Sequence, residues 1–145
     1  VVIDSRLDTP ADARLLAPPG QVLIYCAVDP QSKSDHAAAL RASGAELVQL
    51  GGPQAKVDLG AVLDDLGRRG INELHIEAGH KLNGSLIREA CVDEFLVYLA
   101  PKLLGIGQGM ANWGPLQDLS QGLSLEFTET QLIGKDLRVL ARVTA

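Results

Sequence analysis

Residues 21–28 read QVLIYCAV, an uninterrupted apolar run that carries β-branched and aromatic side chains. A strand with one wetted face alternates apolar and polar residues, so a run that is apolar at both parities needs cover on both faces. Helices packed on either side of a sheet are the ordinary source of that cover. This run points to an α/β chain before any other segment is read.

The flanking segments agree. Residues 1–4 form a short buried strand, and the stretch 5–20, punctuated by Pro10, Pro18 and Pro19, is a loop with one helical turn near residues 11–16. Ser32 or Ser34 caps a helix that runs to about Ser43 and stops at Gly44. Residues 45–50 (AELVQL) are the next strand, ended by Gly51-Gly52-Pro53. Asp58 then caps a helix with Leu59, Val62, Leu63 and Leu66 on one face, closed by Gly70. Residues 73–77 read as a strand and 80–90 as a helix, while 94–100 (EFLVYLA) is apolar at both parities and is expected centrally in the sheet. A long loop over 105–121 follows, with Trp113 expected to pack over the end of the sheet. Leu123, Leu125 and Phe127 then alternate with Ser124, Glu126 and Thr128. Beyond a turn at Gly134, Leu137, Val139, Ala141 and Val143 share one face. The predicted fold is α/β: three layers, a mostly parallel sheet and an antiparallel C-terminal hairpin. At 145 residues the chain suits one domain with one core.

Several classes of function are disfavoured by composition. A net charge of −5 and scattered cations argue against nucleic acid, which needs a concentrated basic surface. Arg68-Arg69 ends a predicted helix, where cations complement the dipole. Cys26 and Cys91 lack metal or redox spacing and read as buried thiols in a reducing compartment. His36, His75 and His80 form no ligand pattern, so no metal is expected. No apolar run is long enough to cross a bilayer, and the opening VVIDSRLDTP lacks the parts of a signal peptide, which makes a cytoplasmic location the expectation. The chain opens directly in a strand without a methionine, as if cut from a longer polypeptide.

In open α/β sheets, ligands bind beyond the carboxyl ends of parallel strands. Asp4-Ser5, residues 32–35 and residues 77–85 arrive there. Within HIEAGHKLNGSLI (residues 75–87), Gly79 permits positive φ or close backbone approach, and the amides of His80, Lys81 and Leu82 would be unpaired first-turn donors. Asn83, Gly84 and Ser85 extend a small, polar lining. Such a turn is either a structural device or an anion site. Glu77 is either a partner of the helix dipole or a ligand acceptor, and the Ser5 hydroxyl either bonds local backbone or faces a ligand.

Four stretches together resemble one family. They are VVIDS (residues 1–5), LDDLGRRGINELHIEAG (63–79), LNGSLI (82–87) and VDEFLVYLAPKLLG (92–105), and FTETQLIGKDLRVLARV resembles the family's closing hairpin. The family is the C-terminal reductase domain of bifunctional riboflavin-biosynthesis deaminase/reductases, of dihydrofolate-reductase-like fold. The resemblance implies NADPH-dependent reduction of 5-amino-6-(5-phosphoribosylamino)uracil to the ribitylamino product, by a homodimer. It implies NADPH contacts from Ser5, Gly79, His80, Lys81, Leu82, Asn83, Gly84 and Ser85, and a substrate contact from Glu77. It assigns no catalytic residue. This chain has Ala78 where many relatives carry a second glycine, and His80-Lys81 in place of a proline–threonine-like pair. The resemblance also implies that residues 1–145 are a reductase domain without its N-terminal strand and helix and without an upstream deaminase domain. Two other readings compete: a stand-alone NADPH reductase of the same fold on another pteridine or pyrimidine, and a non-catalytic nucleotide-binding module.

Overall fold

The computed structural model describes residues 1–144. The chain divides into two compact units, Val1–Leu74 and His75–Ala145.

The first unit is a parallel sheet of three strands in the order β1 (Val2–Ile3), β2 (Val22–Cys26), β3 (Ala45–Gln49). Val2 pairs with Ile24, and Ile24 with Leu47. The central strand is buried on both faces, as its sequence requires. Val22, Ile24 and Cys26 pack with Leu7, Ala37 and Leu40 on the side of helix α1 (Ser34–Ala42). Tyr25 packs with Val57, Val62 and Leu66 on the side of helix α2 (Leu59–Arg68). Each fully buried aliphatic side chain contributes about 1.5–3 kcal/mol relative to exposure. Helix ends follow local chemistry. The Asp58 carboxylate accepts from the Ala61 amide at 2.9 Å, and Gly44 and Gly70 leave their helices at φ +90° and +81°. The start of α1 departs from expectation. Asp29 caps a 3₁₀ turn at Pro30–Lys33 that runs directly into α1, so neither Ser32 nor Ser34 is the cap.

Tyr25 is fully buried, and its hydroxyl donates to Asp65 at 2.7 Å. Asp65 also accepts from Arg69 at 2.7 Å, and Arg69 reaches both oxygens of Glu46 at 2.7 and 3.1 Å. The Tyr25 hydroxyl, and then Arg69, hold the Asp65 carboxyl below its ordinary range. Burial first, then the bond to Asp65, pushes the Tyr25 hydroxyl from 10.0 up to about 12. A group whose value is raised on folding stabilises fully below its unfolded value and loses that contribution as the pH climbs through the folded one. Stability is therefore expected to fall between pH 10 and about 12, by on the order of 2 kcal/mol. Urea unfolding across that range should show the decline, and Tyr25→Phe should lack it while costing about 1 kcal/mol at neutral pH. An identical alkaline decline in both proteins would mean that Tyr25 is not its source.

The second unit carries helix α3 (His80–Arg88) and an antiparallel sheet in the order β4 (Glu94–Leu99), β6 (Asp136–Val143), β5 (Leu125–Ile133). The hairpin joins Ile133 to Asp136 through Gly134-Lys135, with Gly134 at φ +63° in the first loop position. A bulge between Phe127 and Glu129 shifts the register. Phe95 and Val97 on β4 share a face with Ala141 and Val139 on β6, and these line an apolar cavity of about 370 Å³ with Ile87 and Trp113. The expected face of Val139 and Ala141 is thus the packed one, at 7% and 2% exposure.

Two expectations fail. Residues 73–77 form no strand; residues 71–79 have no regular structure, with Ile71, Leu74 and Ile76 more than a third exposed. β4 is an edge strand paired only to β6 instead of a central one, and Leu96 and Tyr98 are exposed. Strand structure requires a hydrogen-bonding neighbour, and neither segment's missing neighbour is supplied by the described residues. The strands consequently fall into two sheets of three, one parallel and one antiparallel. No helix among the described residues is long and apolar enough to cross a membrane.

Candidate functional site

In the first unit, Ser5 follows β1 at the carboxyl edge of the parallel sheet. Its carbonyl accepts from the amides of Ala27 and Val28 at 3.1 and 3.2 Å, and its hydroxyl accepts from the Val57 amide at 3.2 Å. Ser5 therefore ties the end of β2 to the segment before α2, bonding remote backbone and not the local backbone of the simpler sequence reading. The hydroxyl proton and one lone pair stay available. The turn that follows is held by Asp4, whose Oδ2 accepts from the Asp8 amide at 2.7 Å and from the Thr9 amide and hydroxyl, each at 2.6 Å.

In the second unit, Gly79 is the N-cap of α3 at φ −75°, ψ 162°, with no capping side chain. The positive-φ explanation for this glycine is thereby excluded. A Cβ built on Gly79 would meet nothing within 4 Å. No contact within the described residues requires glycine here, and the open space leaves room for another molecule to approach the backbone. The first intrahelical bond runs from the Asn83 amide to the Gly79 carbonyl at 3.0 Å. The amides of His80, Lys81 and Leu82 accordingly have no hydrogen-bond partner among the described residues, as a helix start without a cap dictates. His80 is half-buried, and its Nδ1 is buried with no partner. Lys81 is exposed.

The remainder of the segment is occupied differently. The Asn83 side-chain amide donates to the Met110 carbonyl at 2.9 Å, and the Asn112 amide donates to the His80 carbonyl at 2.8 Å. Arg88 donates to the Asn112 carbonyl and, at 3.0 Å, to the Ser85 hydroxyl. Gly84 is buried, and a Cβ there would lie 2.6 Å from the Asn112 carbonyl carbon and 2.9 Å from its amide nitrogen. Residues 79–85 thus split in two. His80, Lys81 and Leu82 present free amide donors beside the open space at Gly79, whereas Asn83 and Gly84 meet the loop at residues 110–112 and Ser85 bonds Arg88, which itself donates to that loop. Sequence reasoning missed Arg88 and Asn112, since contacts 24 residues apart leave no periodic signal.

Glu77 lies in the irregular segment with its side chain 87% exposed, and His75 Nε2 lies 3.6 Å from its carboxylate. It accepts no hydrogen bond from the helix start, so the dipole-partner reading finds no contact to support it. The uncapped amides and the room at Gly79 suit the pyrophosphate of a dinucleotide, held by N–H donors at a helix start. Asn83 would act through the loop it binds, and Ser85 through Arg88.

Residues 1–139 match the family model described as the RibD C-terminal domain. The riboflavin biosynthesis protein RibD of Actinobacillus pleuropneumoniae is 31% identical over 141 residues, which is 94% of this chain and 37% of that protein. A Buchnera aphidicola protein named 5-amino-6-(5-phosphoribosylamino)uracil reductase is 33% identical over 86 residues, 59% of this chain and 42% of its own length. The structure of Acinetobacter baumannii RibD superposes with a TM-score of 0.78 at 22% identity, over 98% of this chain and 36% of that one. The chain therefore spans well under half the length of these relatives, and the likeness to the solved structure speaks for the fold. With the family model covering nearly the whole chain and the fold agreeing, the chain belongs to the RibD C-terminal domain family.

Proposed function

We propose that this chain is the NADPH-side portion of a reductase that converts 5-amino-6-(5-phosphoribosylamino)uracil to its ribitylamino product in riboflavin biosynthesis. One observation carries the reading: in a chain of this family, α3 begins at an uncapped glycine with open space beside it and three free amides. NADPH, when bound, supplies the hydride that reduces C1′ of the substrate's open-chain imine form. The amides of His80, Lys81 and Leu82 hold the pyrophosphate, with Lys81 adding charge. Ser5 presents its hydroxyl to the cofactor. Glu77 orients the substrate through its ribose or pyrimidine donors and favours cationic imine character by its charge. Orientation of the two reactants is the larger part of the protein's contribution.

The same reading holds that a further N-terminal strand and helix complete the reductase domain and that the protein is a cytoplasmic homodimer. The edge of β4, unpaired among the described residues, and the exposed Ile71, Leu74 and Ile76 support the additional strand, because exposed edges of this kind invite pairing. The test uses the full-length protein. Calorimetric titration should show saturable NADPH binding, and adding 5-amino-6-(5-phosphoribosylamino)uracil should consume NADPH in proportion to product. NADPH binding without consumption of this substrate would leave a nucleotide-binding module. Absence of both would refute the reading.

A further inference from the structure

Asn83 and Gly84 form a pair whose covalent chemistry the proposed function leaves unused. The other asparagines precede larger residues, Glu73 after Asn72 and Trp113 after Asn112. In a flexible chain, the nitrogen that follows an asparagine attacks the side-chain carbonyl carbon and closes a five-membered ring. Glycine in the following position hinders that attack least, because it has no Cβ. A larger residue after the asparagine, the simplest protection, is closed to this fold. A Cβ on Gly84 would lie 2.6 Å from the Asn112 carbonyl carbon and 2.9 Å from its nitrogen. The packing of α3 on its loop therefore keeps the labile pair in place.

Within α3 the reaction is blocked. A helical ψ of about −42° turns the Gly84 nitrogen out of the plane in which it could reach Asn83 Cγ. The N–H of that nitrogen belongs to the helix ladder. The group that would depart is held as well, since Asn83 Nδ2 donates to the Met110 carbonyl at 2.9 Å. The helix itself is loosely anchored. Of its nine residues only Gly84 and Leu86 are buried, and its N-terminus has no side-chain cap. A short helix with little buried surface opens locally far more often than the whole fold unfolds.

We propose that Asn83 is a site of spontaneous deamidation, gated by the opening of α3. In the opened state the Gly84 nitrogen bonds to Asn83 Cγ, the Cγ–Nδ2 bond breaks, and ammonia leaves with the Gly84 amide proton. Water then opens the succinimide at either carbonyl, giving aspartate or isoaspartate at position 83 with no change of oxidation state. Either product loses the donor that binds the Met110 carbonyl. Isoaspartate also lengthens the backbone by one carbon directly ahead of Gly84, where the Asn112 backbone leaves no room. Conversion is thus a one-way loosening of the junction between α3 and residues 110–112. It needs water alone, and it stands whether or not the cofactor reading does.

The test is ageing of the full-length protein at mildly alkaline pH, in buffer and in guanidinium chloride. Mass spectrometry of the tryptic peptide carrying position 83 then reads the conversion, and enzymatic methylation counts isoaspartate. Native protein is expected to convert about 10- to 100-fold more slowly than the unfolded chain, in proportion to the time a short helix spends open. Arg88→Ala removes the donors to Asn112 and Ser85. It should speed conversion in buffer about 10-fold and leave the rate in denaturant unchanged. Aged wild type should show a lowered Tm, and Asn83→Gln, which would need a slower six-membered ring, should keep its own. Native protein that stays unmodified long after the unfolded sample has converted overturns the site. Equal rates in buffer and denaturant, or an Arg88→Ala rate equal to wild type in buffer, show that α3 is not the gate and overturn the proposal too.

Discussion

Gly84→Ala is expected to destabilise the protein by about 2–3 kcal/mol, the upper range for overpacking a buried site. The sign is what makes the variant informative. Glycine inside a helix is ordinarily a weakness, and alanine in its place gains up to about 1 kcal/mol. Here the added methyl would fall 2.6 Å from the Asn112 carbonyl carbon and 2.9 Å from its nitrogen, both backbone atoms. Backbone cannot swing aside as the end of a long side chain can. Either α3 or the loop at residues 110–112 must move, and the bonds from Asn112 to His80, from Asn83 to Met110 and from Arg88 to Asn112 are strained together. Urea unfolding measures the effect directly. An unchanged or higher midpoint would show that the loop yields freely and that helix propensity governs the position. Gly79→Ala provides the contrast: a Cβ there meets nothing within 4 Å, so stability should hold while NADPH binding weakens.

Glu77→Ala is expected to lower kcat/KM for 5-amino-6-(5-phosphoribosylamino)uracil by on the order of 100-fold in the full-length protein, as one or two lost charge-assisted hydrogen bonds would. The Tm and the NADPH affinity should not change. Glu77 is 87% exposed, and among the described residues its carboxylate makes no hydrogen bond and pairs with His75 alone, at 3.6 Å, so the fold does not depend on it. Loss of turnover cannot then be laid to misfolding. Glu77→Gln separates two contributions: a substrate held by acceptor geometry keeps partial activity, whereas stabilisation of a cationic imine requires the charge and loses it. Turnover within about two-fold of wild type in both variants would remove Glu77 from the substrate site.

Local chemistry made much of this fold legible in advance. The run at residues 21–28 demanded cover on two faces, and Ile24 and Tyr25 are buried against α1 and α2 respectively. Asp58, Gly44 and Gly70 announced their helix ends because capping and positive φ are decided within a few residues. The hairpin at Gly134 was readable for the same reason. Family membership was legible too, since it rests on residue identity along the chain and not on geometry.

The candidate site was legible as a segment but not as a division of labour. Gly79 and Gly84 look alike in sequence, yet one has open space beside it and the other abuts the Asn112 backbone. Residues 73–77 and 94–100 have the composition of buried strands, but one forms no strand and the other, as β4, lies at an edge. Composition sets a segment's preference for the extended state. Whether a strand forms is decided by a neighbour offering its N–H and C=O groups. By itself, then, the sequence determined what local rules govern: the covered central strand, the caps, the closing turn and the family. The tertiary structure alone decided which strands found partners, which glycine makes room and which is packed. Those outcomes depend on contacts between residues distant along the chain, which no local pattern encodes.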